Sequence, residues 1–271
     1  MNKILKSFGA LVFALGLSLW PFLRLGISGP RPLQEDPFEK LKKYFEPVNI
    51  SAADQKALNE IEAAVVLEPD DPYYYRLRGI RHREAEQYDK SLADLNRALQ
   101  LDPEFVEAYG ARGDTYLFKG DYQKAVADYS VFLKSFPKVS MAYFRRGQAY
   151  GRLKRYREAI ADFQKAIELE PKSIEAHNSL AWLLATAPED GVRNGLQAID
   201  YARKALDLAG DNNYFYMDTL AAAYAEAGRF EEAIALQEQA VSLLPADVSV
   251  QDRADFKKRL DLYKRHTPFR E

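Results

Sequence analysis

Apolar residues recur at helical spacing along most of the chain, and short breaks of Gly, Asp or Pro separate the runs. The run Glu104–Lys119 predicts one helix, Gly120-Asp121 a turn, and Tyr122–Ser135 a second helix. Phe136-Pro137 then stops the second helix, because proline lacks an amide donor and restrains the residue before it. This paired pattern returns at a fixed distance. Pro69, Pro103, Pro137 and Pro171 stand 34 residues apart, as do Tyr75, Tyr109 and Tyr143, and Gly79, Gly113 and Gly147. Such a period predicts a tandem array of helical hairpins, each burying its apolar face only against its neighbours. Gly in mid-helix costs about 1 kcal/mol relative to Ala. The three recurring glycines therefore mark places where a neighbouring helix comes close, with bulky Tyr residues filling the space opposite.

The period divides the chain into a degenerate leading unit at 38–71, interrupted by Pro47, and regular units at 72–105, 106–139 and 140–173. A fourth unit, 174–213, carries an inserted loop, Thr186–Gly195, before its second helix, Leu196–Leu208. A fifth spans 214–247. Residues 248–271 hold one more amphipathic helix, about Ser249–Arg265, with Phe256, Leu260 and Tyr263 on one face, and a tail. The second unit reads Tyr109, Arg112-Gly113, Tyr116, Ala125, Tyr129, Phe132, Pro137; the third reads Tyr143, Arg146-Gly147, Tyr150, Ala159, Phe163, Ala166, Pro171. This pattern resembles the tetratricopeptide repeat (TPR). The resemblance implies an all-α, right-handed α-solenoid of stacked helix-turn-helix repeats, closed by a C-terminal capping helix. It also implies a non-enzymatic scaffold for protein–protein interaction. The fourth unit departs by its loop and by His177, which stands where the family has an aromatic.

The units also test one another. Arg78, Arg112 and Arg146 precede the recurring glycines, and Asp94, Asp128 and Asp162 follow them sixteen residues later. The fourth and fifth units carry apolar or aromatic residues at both places: Leu180 with Tyr201, and Leu220 with Leu236. Charge with charge and apolar with apolar predicts an ion pair between the two helices of each of the first three units, bidentate as Arg allows.

Composition changes the picture at one end. The chain opens with Lys3 and Lys6, then runs from Ser7 to Leu23, 17 residues, without a charge. A basic start before an apolar run is the layout of an export signal, and 17 residues is also the short limit of a transmembrane helix. Residues 1–28 thus read as a signal peptide or a single anchor, the anchor favoured by Trp20 near the end of the run. Residues 29–37 read as a linker. The bulk of the chain is expected beyond the membrane.

The 271 residues carry 38 Lys+Arg against 40 Asp+Glu, so a basic nucleic-acid footprint is not expected. No Cys and three scattered His leave no thiolate site and no plausible metal set or nucleophile–base pair. No phosphate-binding, zincin or nucleophile-elbow motif occurs. No cofactor is expected. His82 reads as a packing substitute for the family's Tyr.

What remains is a binding surface for a protein or peptide. The resemblance places the first helix of each unit on the concave side. In that register the groove positions are Tyr73, Arg76, Ile80 and Arg83, then Glu107, Asp114 and Phe118, then Met141, Phe144, Gln148 and Arg152. Asn178 and Trp182 follow, then Phe215, Asp218 and Glu226. Aromatics mixed with Arg and amides are the composition of interface hot spots, and Trp182 is the foremost candidate. A subfamily that clamps the C-terminal carboxylate of chaperones uses Lys, Arg and Asn across three units. Arg76 and Arg145 match two of its places, but Ile80, Ala111 and Met141 do not, so chaperone-tail binding is not expected. The other reading is an accessory subunit of a membrane assembly, acting through its convex face or last helix.

Overall fold

A computed structural model describes residues 52–210 and 212–271. These form twelve helices and no strand among the described residues. They are α1 (Ala52–Leu67), α2 (Pro72–Glu84), α3 (Tyr88–Leu101), α4 (Val106–Lys119), α5 (Tyr122–Ser135) and α6 (Ser140–Arg152). Then follow α7 (Tyr156–Leu169), α8 (Ile174–Thr186), α9 (Gly195–Ala209), α10 (Tyr214–Glu226), α11 (Phe230–Ser242) and α12 (Val250–Lys264). The helices pair as hairpins α2/α3, α4/α5, α6/α7, α8/α9 and α10/α11, and each hairpin packs on the next. The structure is an α-solenoid of stacked repeats. The N-terminal apolar run, the linker and the first part of the leading unit, residues 1–51, lie outside the described residues. No helix among the described residues is long and apolar enough to cross a membrane.

Local chemistry sets the helix ends. Asp71 accepts from the amide of Tyr73 at 2.8 Å with Pro72 in the first turn, and Ser173, Asn194, Asn213 and Ser249 cap later helices in the same way. Gly120 closes α4 in the left-handed conformation, with φ of 90°. The recurring Tyr and Pro are tied together: the Tyr75 hydroxyl donates to the carbonyl of Pro69 and the Tyr109 hydroxyl to that of Pro103.

Packing differs along the array. Residues from Phe144 to Tyr263 share one continuous apolar core, made mainly of Ala, Leu and aromatics. Upstream the core breaks into small clusters, such as Ile80 with Leu95 and Ala111. Between them lie polar contacts, including a buried hydroxyl pair at 2.9 Å from Ser91 to Thr115. Helices α8 and α10 are apolar on nearly every side because neighbours cover them on several sides.

The recurring glycines let the helices of one hairpin touch. A Cβ on Gly79 would stand 2.8 Å from Leu95 Cγ, and one on Gly147 2.8 Å from Phe163 Cε1. The residue opposite is thus on the second helix: the Tyr expected from sequence at Gly113 (Tyr129), but a Leu at Gly79 and a Phe at Gly147. Tyr75, Tyr109 and Tyr143 instead lie under the guanidinium groups of Arg78, Arg112 and Arg146, at 5.3–5.6 Å from ring centre to Cζ.

Each of those arginines is bidentate to its aspartate. Arg78 meets Asp94 at 2.8 and 2.7 Å, Arg112 meets Asp128 at 2.7 and 2.9 Å, and Arg146 meets Asp162 at 2.7 and 2.8 Å. The third arm reaches the preceding hairpin: Arg112 Nη1 donates to Asn96 at 2.8 Å and Arg146 Nη1 to Ser130 at 3.1 Å. One planar fork therefore ties both helices of a unit to the unit before it. Asn96 and Ser130 occupy equivalent positions 34 residues apart in successive units, with different side chains serving as the acceptor.

Candidate functional site

The first helices, α2, α4, α6, α8 and α10, contact one another in order along one side of the array, and α12 follows as a sixth. From the end of α4 to α12 opens a cleft of about 990 Å³. Of the residues the sequence assigns to the groove, it is lined by Phe118, Gln148, Arg152, Asn178, Trp182, Phe215 and Asp218. Phe118 and Phe215 are 54% and 53% exposed, which is unusual for aromatics of this size. Gln148 is half-buried and Arg152 exposed.

Other assigned residues sit differently. Arg76, Ile80, Arg83, Asp114, Phe144, Asn178 and Asp218 are buried and not exposed as the register suggests; of these only Asn178 and Asp218 line the cleft, and the other five lie outside it. The reason is that successive first helices approach closely enough to cover them. Phe144 packs on Phe163 at 5.8 Å between ring centres. Tyr73, Glu107 and Met141 are half-buried and lie outside the cleft. Arg76 lies 5.5 Å from the ring of Tyr73 and 5.4 Å from that of Phe105.

Two buried charge clusters join the hairpins, and the second of them lines the cleft. In the first, Asp114 on α4 accepts from Arg83 on α2 at 2.5 Å and from the Tyr129 hydroxyl at 2.6 Å, with Arg145 of α6 at 3.5 Å. One carboxylate thus links three successive hairpins. Burial, then the charge of Asp114, raises the Tyr129 pKa well above its usual value, so the phenol stays a donor. The exposed ring of Phe118 rests against both guanidinium groups, 5.8 Å from Arg83 and 5.3 Å from Arg145. In the second cluster, Asp218 on α10 accepts at Oδ1 from Gln237 of α11 and Arg259 of α12, both at 2.7 Å. Burial raises the Asp218 pKa against the opposing pull of Arg259 and Gln237.

The last helix is part of the groove. Asp252, Asp255, Phe256 and Arg259 of α12 line the cleft. Its removal would take away one wall of the cleft. Trp182 is half-buried and already has partners from this chain: Phe269 at 5.9 Å and Arg259 at 5.6 Å. Sequence reading missed this because residues 265–271 carry no helical period.

The inserted loop is pinned, not loose. Arg193 donates to the carbonyls of Ala187 and Pro188, to Asp190, and to Glu226 at the end of α10. A Cβ on Gly195 would meet the Ala227 amide nitrogen at 2.6 Å, so only glycine lets the loop abut that helix end. No cluster of potential metal ligands occurs among the described residues.

Stacked hairpins with a cleft along their first helices define an α-solenoid interaction scaffold. Residues 76–140, 140–173 and 216–247 each match the tetratricopeptide repeat. The chain belongs to the tetratricopeptide repeat family. MamA from Desulfovibrio magneticus RS-1 (residues 41 to the end) superposes with a TM-score of 0.53 at 22% identity, over 58% of this chain and 86% of that one. YrrB, a TPR protein with an unusual peptide-binding site, gives 0.59 at 19% identity over 73% and 97%. Yeast Tom70 gives 0.54 at 20% over 80% of this chain and 44% of that one. At these identities the likeness is one of fold. No curated protein matches the chain.

Proposed function

We propose that this scaffold binds an extended peptide segment of a protein partner in the cleft formed by its first helices and α12. The observation that carries this reading is the pair of half-exposed aromatics, Phe118 and Phe215, lining a cleft of about 990 Å³ that also holds the buried Asp218–Arg259 pair. Large rings held ready on a rigid frame bind with little loss of receptor entropy. YrrB, with the same fold, is a protein with a peptide-binding site, which supports the reading. The basic and then apolar start of the chain supports a place at or beyond a membrane, as a signal or anchor.

The test is selection from a random peptide library against the full chain, followed by affinity measurement on Phe118→Ala and Phe215→Ala. Both side chains are exposed, so the fold should survive. Selected peptides should weaken by about tenfold or more on at least one variant, the signature of a hot-spot ring. Peptides that bind both variants as well as wild type would place recognition elsewhere. Mass spectrometry of the mature N-terminus, with membrane fractionation, tests the location.

A further inference from the structure

Residues after α12 do not run off into solvent. His266 turns the chain in the left-handed conformation, with φ of 52°, and its ring stacks on Phe230 at 4.9 Å with planes 4° apart. Its amide donates to Tyr263 and that of Thr267 to Leu262, which fixes the direction of exit. The next residues fold back over α10 and α8. Phe269 meets the indole of Trp182, and the guanidinium of Arg259 lies 5.6 Å from both rings. Arg270 pairs with Glu226 at 2.6 Å. The Trp182 indole donates to the Glu271 carboxylate at 3.2 Å, and the Glu271 amide donates to the Thr186 carbonyl at 3.0 Å, at the open end of α8.

These are the contacts by which a groove holds a linear peptide: a ring in an aromatic–guanidinium slot, a cation on an acid, an acid on an indole, and a backbone bond to a free helix carbonyl. Yet the segment is held lightly. Phe269 stays partly exposed, Arg270 and Glu271 are exposed, and Glu271 ends on the wall of the cleft.

We infer that Thr267–Glu271 is an internal occupant of the Trp182 end of the groove. The partner is an extended segment with the same order of chemistry, an aromatic followed by a cation and an acid, and it enters by displacing this one. The inference rests on the groove reading above and adds to it the chemistry of the ligand and a built-in competitor. A tethered segment competes at an effective concentration on the order of millimolar, so only a partner with better contacts gets in.

The probe is a labelled peptide with the sequence of residues 267–271, followed by fluorescence anisotropy. The receptors are the full chain and its Phe269→Ala/Glu271→Ala variant, with Arg270→Glu as a second way to release the segment against Glu226. Circular dichroism checks that each remains folded. The peptide should bind both released variants about tenfold or more tightly than wild type. Adding Trp182→Ala to the released variant should abolish that binding. In a Trp20→Phe background, Trp182 emission should shift to the red in the released variants. Equal affinity for wild type and variants, or no binding and no shift in either variant, overturns the inference. So does a wild-type dimer by light scattering that the released variants lose, since the segment would then be serving a second copy. If library-selected peptides bind wild type and released variants alike, the tail inference fails while the groove reading stands. If none binds either, the groove reading fails as well.

Discussion

Arg259 donates through Nε to Oδ1 of Asp218 at 2.7 Å, joining residues 41 positions apart and closing the end of the array on its penultimate first helix. Both side chains are close to fully buried, 11% and 6% exposed. Removing one partner leaves a buried charge without compensation, which costs about 3 kcal/mol or more in such settings. Arg259→Leu should therefore lower the unfolding free energy by about that amount in urea titration. Adding Asp218→Leu should recover most of the loss, because the stranded carboxylate goes too. A double variant no better than the single one would show that packing by the Arg259 stem, and not charge, secures α12.

Two glycines on α6 should respond to alanine with opposite signs. At Gly147 the new Cβ would lie 2.8 Å from Phe163 Cε1 and 3.3 Å from the Ala159 carbonyl oxygen. Overpacking of this kind costs about 1–3 kcal/mol, more than the ~1 kcal/mol that alanine gains in helix propensity. At Gly151 nothing lies within 4 Å, so the propensity gain stands alone. Gly147→Ala should be net destabilising and Gly151→Ala stabilising by up to about 1 kcal/mol, read by thermal or urea unfolding on the same preparation.

The repeat architecture was legible because the period lies in residues whose chemistry is local: a proline that stops a helix, a glycine that admits a neighbour, an Arg and Asp at matching places in each unit. The third arm of Arg112 and Arg146 was not legible, because its acceptors, Asn96 and Ser130, are different residues and show no recurrence. The groove was less legible. A helical register says which face a residue shares, but not how closely the next hairpin covers it. Arg83, Asp114 and Asn178 lie on the right face and are buried by neighbours all the same. The fold-back of Phe269 onto Trp182 depends on contacts between segments far apart in the chain, and residues 265–271 carry no period to announce it.

The hairpin turns offer a backbone test. Gly120 and Gly228 take positive φ at the end of α4 and after α10, and Glu86 and Lys154 take φ of 57° and 59° at the corresponding turns after α2 and α6. The left-handed region costs an L-residue about 1–2 kcal/mol, whereas glycine enters it freely. Both side chains are exposed and contribute little packing. Glycine also adds freedom to the unfolded chain, which takes back part of the gain. Glu86→Gly and Lys154→Gly should each stabilise the array by about 0.5–1 kcal/mol, and loss of stability in both would mean that these turns are not strained.

His82 gives the array a pH dependence with a definite sign. Its ring is buried on α2, with Asp94 at 3.7 Å from Nε2, and Lys90, Arg78 and Gln87 are the other groups that act on it. Burial lowers its pKa below the ordinary value of about 6.5. Asp94 pulls the other way, but its carboxylate is already engaged by both arms of Arg78. The unfolded chain therefore binds a proton at this site more readily than the folded one. Stability from this residue is fully present above about pH 6.5 and is lost as pH falls through the lower folded value. His82→Tyr, the residue that the repeat pattern favours here, carries no such proton. Its unfolding free energy should fall less steeply than that of wild type below about pH 6.5. Parallel curves for the two proteins across that range would place the acid sensitivity in the carboxylates alone.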